Sequence, residues 1–220
     1  MCGRFILLTD LSVIIKLFDI QNVAGEYRPG NNISPCEQIA AVVRKDDQNN
    51  LVDFRWGLIP SWAKDPSIGN NTINAQAESI AEKPSFKYAF QKRRCLIPAD
   101  GYYEWQKLGK AKKPFRIYLK SEQPMGFAGL YETWMSPEKK RIDTCAIVTV
   151  LANELTMPLH DRMPAILPKD KEAFWLDPEN HDQRGLWSIL KPYPSDEMAV
   201  SEVDPRTFYG RKVESAFLDV

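Results

Sequence analysis

The chain has few cysteines, and none is placed as a metal site or a disulfide framework requires. Its four cysteines, at positions 2, 36, 95 and 145, include no C-x-x-C pair. Zinc fingers and ribbons need closely spaced ligand pairs, and disulfide scaffolds need a higher cysteine density. Both classes are excluded, and we expect a reduced, cytoplasmic protein.

Long apolar runs and an excess of one charge are also lacking. Equal numbers of basic and acidic residues, 29 each, give a formal net charge of +0. A protein that coats DNA non-specifically is usually clearly basic, so any nucleic-acid site here must be a local patch. No stretch approaches the roughly 18 apolar residues of a membrane helix, and the run FILL is too short for a signal peptide. We therefore expect no membrane contact.

The common cofactor signatures are missing as well. There is no P-loop, dinucleotide-binding glycine fingerprint, zinc motif or G-x-S-x-G nucleophile elbow. We therefore expect neither a metal nor a nucleotide cofactor.

The apolar pattern predicts an α+β fold. Strand patterns lie within residues 38–60, 94–120, 126–134 and 142–151. Helical patterns lie at 9–20, 79–92, 169–176 and 182–190, the second of them broken at Pro84. Sixteen prolines and many short strands argue against a helical bundle. We expect one compact domain over residues 1–220, with a mostly antiparallel sheet system and peripheral helices.

The first residues, MCGRF, carry an unusual chemical possibility. A small residue such as Cys2 permits removal of Met1, which would leave an α-amine and a thiol on one residue. An α-amine has a pKa of about 7.7–8.0, so about a tenth of it is neutral at pH 7, far more than of a lysine. It can form an imine with an aldehyde, and the adjacent thiol can then close a thiazolidine ring intramolecularly. The alternative is that Cys2 is only a small residue at the start.

Three more polar residues are candidates, and each also has an ordinary structural interpretation. His160, in MPLHDRMP, lies in a proline-bounded segment that can hold a proton donor in fixed geometry, although a lone histidine is more often structural. Glu104, in ADGYYEW, either points to solvent or lines a cleft as an acid or base. Asn74, in NNTINAQAE, is by default a helix cap, and otherwise a hydrogen-bonding group for a sugar or a reacting carbonyl.

Basic clusters and tryptophans offer nucleic-acid contacts that are individually weak. QKRR at 91–94 and KLGKAKK at 107–113 are able to bind phosphate, although most such runs are solvated loops. Trp56, Trp62 and Trp105 are able to stack on bases, although tryptophan more commonly packs in a core. The residues alone therefore indicate an aldehyde trap whose ligand is undetermined.

Taken in order, eight segments resemble the SOS response-associated peptidase (SRAP) family. They are MCGRF, NNISP, WGLIPSWAKD, NAQAES, IPADGYYEW, PFRIYL, FAGLYE and MPLHDRMPAIL. The resemblance runs from residue 2 to about residue 177. The start together with the ADGYYEW-like and HDRMP-like blocks is highly specific, whereas the last forty or so residues match weakly.

The resemblance implies a fold and an activity. The fold would be one α+β domain with a barrel-like centre and a positively charged groove. The family binds single-stranded and junction DNA that carries an abasic site, and captures the open-ring aldehyde reversibly as a thiazolidine on Cys2, which shields the lesion. Schiff-base, lyase-like chemistry and self-removal of Met1 at the same site are implied as well. We expect abasic single-stranded DNA as the partner and a monomeric protein.

The resemblance also implies residue roles. Cys2 would be the nucleophile, and Asn74 would bind the reacting sugar or the closed ring. Glu104 would orient or deprotonate the α-amine, and His160 would protonate the sugar ring oxygen to open it and assist reversal. The residues implied to lie near DNA are Arg4, Trp62, Gln76, Trp105 and Arg162.

Two positions depart from the family pattern. Gln76 stands where the family usually has an arginine after NA, so a phosphate contact is missing or supplied elsewhere. Cys36 follows NISP, where glycine is common.

Two other functions remain open at this point. One is a thiol peptidase with Cys2 as nucleophile and His160 as base. The other is a non-enzymatic reader of modified or junction DNA, for which Cys2 would be dispensable. If Met1 is retained, the α-amine is no longer on Cys2 and the trap is disabled.

Overall fold

The structure is a computed structural model that describes residues 2–109 and 111–208, without the side chains of residues 107, 108 and 111. Its strands are β1 Phe5–Leu7, β2 Ile20–Val23, β3 Gly30–Ile33, β4 Gln38–Lys45, β5 Gln48–Trp56, β6 Asn74–Gln76, β7 Arg94–Ala99, β8 Gly101–Leu108, β9 Ala111–Leu119, β10 Met125–Met135, β11 Arg141–Leu151, β12 Arg162–Pro164, β13 Ile166–Leu167 and β14 Met198–Glu202. The helices are α1 Leu11–Leu17, α2 Lys87–Lys92, α3 Lys169–Leu176 and α4 Gln183–Ser188.

The larger sheet closes into a barrel. Strands β11, β10, β7, β4 and β5 follow one another through antiparallel pairs, and β5 then pairs in parallel with β11, Arg55 opposite Thr144 and Trp56 opposite Cys145. Closure leaves these strands without a free edge. Strand β6 pairs in parallel with β11 beside this closure, with Asn74 opposite Ile147. The predicted single α+β domain with a mostly antiparallel, barrel-like core is confirmed for the described residues.

The smaller sheet brings the start of the chain to the middle of the sequence. Its order is β14-β9-β8-β1-β3, and its described pairs are antiparallel. Phe5 lies opposite Tyr102, and the N–H of Tyr103 donates to the carbonyl of Arg4 (2.9 Å). Continued towards the N-terminus, this antiparallel register brings the first residues alongside Glu104.

Aromatic packing fixes the N-terminal strand on the barrel. The Phe5 ring meets Trp56 and Phe127 edge-on, with centroids 5.4 and 6.2 Å apart, and Tyr102 meets Phe127 at 6.1 Å. Trp56 is fully buried, and its indole N–H donates to the Ile73 carbonyl (2.9 Å). The suggestion that Trp56 stacks on bases is therefore wrong, because both faces of its ring lie in the core.

Two predicted helices are shorter than the apolar pattern indicated. The first ends at Leu17, because Asp19 takes a left-handed conformation (φ 49°) and Ile20 begins β2. The second forms only from Lys87, downstream of Pro84, since proline disfavours the helical conformation in the residue before it. None of the helices in the described ranges has the length and apolar content needed to cross a membrane.

Three of the basic residues in the two clusters have partners within the protein. The Arg94 guanidinium is buried and donates to the carbonyls of Phe90, Gln91 and Trp175, and Arg93 pairs with Glu132 (2.7 Å). The interpretation of Arg94 as a phosphate contact is therefore wrong. In the second cluster Lys113 pairs with Glu202 (2.7 Å), and the residue at 110 lies outside the described ranges.

Candidate active site

Cys2 lies fully buried where β1, β6 and β8 meet. The Asn74 side-chain amide donates to the Cys2 carbonyl (2.8 Å), which ties the N-terminal segment to β6. Asn74 belongs to a strand, so its default interpretation as a helix cap is wrong. Its side-chain oxygen is buried and has no hydrogen-bond partner among the described residues. That oxygen can therefore accept a hydrogen bond from a bound molecule.

The Cys2 thiol is held in its neutral form. Burial, and then the charge of Glu104, raises the pKa of this thiol well above its ordinary value. The Sγ atom lies 4.0 Å from the Arg4 carbonyl, a weak contact. Since the thiolate is the nucleophilic form, this sulfur is not set up to attack first.

Glu104 is a buried carboxyl close to Cys2. Its side chain is buried, and burial raises its pKa from 4.5 to about 7, with a smaller contribution from the charge of Asp161. A carboxyl with a pKa near the working pH can both accept and return a proton, as general acid–base catalysis requires. Of the two interpretations open for Glu104, pointing to solvent is wrong, because the side chain is buried; its part as an acid or base stays a prediction.

His160 is oriented by its own turn. The backbone N–H of Arg162 donates to Nδ1 of His160 (3.0 Å), and a carboxylate oxygen of Asp161 lies 2.8 Å from the same nitrogen. Accepting from Arg162 places the proton of a neutral ring on Nε2, whereas donating to Asp161 requires a proton on Nδ1. After protonation, Nδ1–H can donate to Asp161 instead. The segment therefore has a hydrogen-bonding partner for either charge state of the ring.

Three neighbours join the His160 segment to the Cys2 pocket. Thr156 lies beside the phenol of Tyr102, and Asp161 acts on Glu104. Burial, followed by the proximity of Cys2 and Glu104, raises the pKa of Tyr102 well above its ordinary range. The start of the chain, β8 and the segment that carries His160 therefore lie next to one another, and we call this group of polar side chains the Cys2 pocket.

Arg162 is engaged within the protein. Its side chain is buried and makes a two-pronged ion pair with Glu78 (2.7 and 2.9 Å), and it also donates to the Thr149 carbonyl (2.6 Å). The Arg162 hydrogen bond lowers the pKa of Glu78. The guanidinium thus ties the turn after β6 to β11, and a DNA contact by Arg162 stays a prediction.

The other four residues expected near DNA differ in their accessibility. Gln76 and Trp62 are exposed, the latter by 54%, and the Trp62 indole N–H reaches the Pro84 carbonyl at 3.4 Å. Arg4 is half-buried and donates to the Asn32 side chain (2.9 Å). Trp105 is half-buried, with its ring centroid 5.3 Å from that of Phe208. Their contacts with DNA also stay predictions.

Several residues of the site were not singled out in the sequence. Glu78 and Thr149 hold Arg162, while Tyr102, Thr156 and Asp161 line the pocket. Asp161 follows His160 directly, and that adjacency was a usable signal. The other four become neighbours only in the tertiary structure. In the described part of the chain, no three His, Cys, Asp or Glu side chains cluster as a metal site needs.

Comparison with known proteins gives consistent relatives. The family model described as SOS response associated peptidase (SRAP) matches residues 1–208. The chain is 47% identical over 206 residues to the abasic site processing protein YoqW of Bacillus subtilis, covering 92% of each chain. It is 32% identical over 200 residues to the abasic site processing protein HMCES of Gallus gallus, covering 76% of this chain and 60% of that one.

Solved structures agree with these relatives. A Bacteroides thetaiotaomicron protein superposes with a TM-score of 0.85 at 27% identity, covering 94% of this chain and 98% of that one. A Bordetella bronchiseptica protein superposes with a TM-score of 0.81 at 25% identity, covering 92% and 100%. Both the sequence match and the fold lead to one conclusion: the chain belongs to the SOS response associated peptidase (SRAP) family.

Proposed function

We propose that this protein processes abasic sites in DNA by capturing their aldehyde covalently on Cys2 after Met1 has been removed. The observation that carries the proposal is the environment of Cys2. Its carbonyl is held by Asn74, and its thiol lies buried beside Glu104, whose pKa is about 7. Family membership and the names of the relatives supply the lesion as substrate. Met1 lies outside the described residues, so its removal is part of the proposal.

The amine acts first in this scheme. The neutral Cys2 amine adds to the aldehyde carbon C1′ of the open sugar, and loss of water from the carbinolamine gives an imine. Glu104 takes a proton from the attacking nitrogen and returns one to the departing hydroxyl. A pKa of about 7 suits both transfers.

The thiol acts second. Its sulfur adds to the imine carbon and its proton passes to the nitrogen, which closes the thiazolidine without any other reactant. The elevated thiol pKa suits this order, since addition to an imine formed on the same residue is intramolecular. A thiol peptidase would instead need a thiolate at the start of the reaction, so the pocket supports aldehyde capture better than attack on peptides.

His160 and Asn74 act on the sugar of the abasic site, one by proton transfer and the other by hydrogen bonding. Protonated His160 gives its Nε2 proton to the ring oxygen while the C1′ hydroxyl loses its proton to water, which opens the closed sugar, exposes the aldehyde and leaves the imidazole neutral. Protonation by the same group assists reversal. The free side-chain oxygen of Asn74 accepts from a sugar hydroxyl or from the N–H of the finished ring.

The strand is expected to be single-stranded where it enters the pocket, because the reacting carbon must reach a fully buried residue. Arg4, Trp62, Gln76, Trp105 and Arg162 are the proposed DNA contacts, and the protein acts as a monomer. Self-removal of Met1 at the same site is a further part of the proposal.

The deciding experiment is intact mass spectrometry after incubation with an abasic single-stranded oligonucleotide. We expect protein lacking Met1 to gain the mass of the oligonucleotide minus one water. The adduct should survive heat and detergent without reductant. Cys2→Ala should form only an imine that needs borohydride trapping, while Cys36→Ala is the matched control and should react normally. An equally heat-stable adduct on Cys2→Ala would exclude the thiazolidine.

A further inference from the structure

Helix α4 carries an exposed aromatic ring and an exposed cation on one face. Trp187 is 52% exposed, and Arg184, three residues earlier, is also exposed. Residues three apart on a helix are surface neighbours. Arg184 makes no ion pair with any other residue in the described ranges. A flat ring beside an unpaired guanidinium is the combination with which proteins hold single-stranded nucleic acid.

The Trp187 ring is fixed at the end of β6. Its indole N–H donates to the carbonyl of Ala77 (3.0 Å), the residue after Gln76. The polar atom of the ring is thereby satisfied by the protein, while half of its surface faces solvent. A tryptophan that served only the core would have its ring covered, as Trp56 does.

The helix itself is firmly seated. Leu186 is fully buried beneath it, and the Asp182 carboxylate caps its start by accepting from the N–H of Gly185 (3.0 Å). A side chain at position 185 would collide with that carboxylate. The ring is therefore presented on a rigid base.

The distance to the reacting residue follows from strand geometry. Ala77 lies three residues beyond Asn74, which holds Cys2, and a strand rises about 3.3 Å per residue, so the two points are about 10 Å apart. Stacked nucleotides are about 3.4 Å apart along a strand. The carbonyl that holds the Trp187 indole is thus separated from Asn74 by a length that about three stacked nucleotides span, on the side of Gln76.

We propose that α4 is a second DNA contact, in which Trp187 stacks on an unpaired base about three nucleotides from the abasic site and Arg184 binds the neighbouring phosphate. This rests on the proposed function. It extends the binding surface beyond the residues that the family resemblance supplied. It also sets a minimum length of single strand on one flank of the lesion.

The test is a length series of oligonucleotides that contain tetrahydrofuran as an unreactive abasic analogue. One flank is kept constant and the other grows from none to six nucleotides, and both polarities are made. Wild-type affinity should step up at about three nucleotides on one flank only. Trp187→Ala should bind about five- to a hundredfold more weakly beyond that step and normally before it. Trp187→Phe should keep most of the step, and Met135→Ala, an exposed apolar residue at the end of β10, should change nothing.

Arg184→Gln is a second variant for this experiment, and it does not disturb packing because the side chain is exposed. It should lower the log–log salt slope by about 0.7, the value for one phosphate contact on a single strand, and only with long flanks. The inference is wrong if wild type shows no length step, or if Trp187→Ala and Arg184→Gln both bind long oligonucleotides normally. Such a result leaves the proposed function intact. The proposed function itself is wrong if the wild-type protein forms no adduct with a reactive abasic oligonucleotide.

Discussion

The reaction pocket and the proposed DNA-binding rim differ in how far their side chains are exposed to solvent. In the pocket, Cys2 and Glu104 are desolvated, and burial has moved both of their pKa values. The proposed rim consists of Trp62, Gln76 and Trp187, which are exposed, and each of the two indole N–H groups donates to a backbone carbonyl. Changes in the pocket should therefore alter rate and stability, and changes on the rim should alter affinity.

The sharpest test of this contrast is removal of the acid–base groups. Glu104→Gln keeps the size of the side chain but cannot take up a proton, and His160→Gln cannot become charged. We expect each to slow adduct formation about a hundred- to ten-thousandfold, with unchanged affinity for the tetrahydrofuran analogue. The measurement is single-turnover crosslinking at saturating protein, beside equilibrium binding. Parental rates in both variants would remove these residues from the mechanism.

Trp56 and Trp62 allow the buried and the exposed region to be compared with the same residue type. Trp56→Ala should cost about 3–5 kcal/mol of unfolding free energy, since a fully buried ring leaves a cavity. Trp62→Ala should cost little stability, because its ring is 54% exposed, but should weaken single-strand binding by about 1–3 kcal/mol through lost stacking. Urea unfolding and oligonucleotide binding measure the two effects. Normal DNA affinity in Trp62→Ala would show that the exposed ring has another purpose.

These two tryptophans also show what the sequence could and could not decide. Strand positions were predictable, because alternation and turn residues are local signals. Some residues of the pocket were predictable, because the motifs MCGRF and ADGYYEW contain Cys2 and Glu104. Whether a tryptophan is core or surface depends on strand pairing far along the chain, and so does the ion pair between Arg162 and Glu78, 84 residues apart. Trp187 was missed because its exposure and its bond to Ala77 are properties of the tertiary structure alone.

Stability should carry a pH signature of the pocket. The folded pKa of Glu104 is about 7 against 4.5 unperturbed, so the folded state binds more protons than the unfolded state between these values. The contribution of Glu104 to the free energy of unfolding is therefore fully present below about pH 4.5 and is lost as the pH rises through 7. The total loss is up to about 3 kcal/mol.

Glu104→Gln should abolish that pH dependence. It should be more stable than wild type at pH 8 by up to about 3 kcal/mol, and should gain little at pH 5. Urea unfolding at a series of pH values gives the difference directly. A constant gap between the two proteins would mean that the carboxyl is not desolvated in the folded state. The expected gain at pH 8 would also show that the pocket sacrifices stability for its chemistry.

The smallest expected effect lies on the rim, at Gln76. The residue is exposed at the end of β6, beyond Asn74, at the position where the family resemblance implies an arginine. Gln76→Arg should tighten single-strand binding at low salt and steepen the log–log salt slope by about 0.7. The gain should be similar for all base sequences, because a phosphate carries no base information. Adduct formation at saturating DNA should be unchanged, since the pocket is untouched.

The matched control for this change is Gln123→Arg, which adds the same charge in the exposed turn between β9 and β10. It should leave the slope nearly unchanged, because charges in solution are screened beyond about 10 Å at 0.1 M salt. Both variants are measured on a tetrahydrofuran strand at several salt concentrations. Equal slopes in Gln76→Arg and wild type would mean that position 76 does not face the phosphates. The strand would then pass the pocket on the other side of β6, away from α4, and the length step assigned to Trp187 should be absent as well.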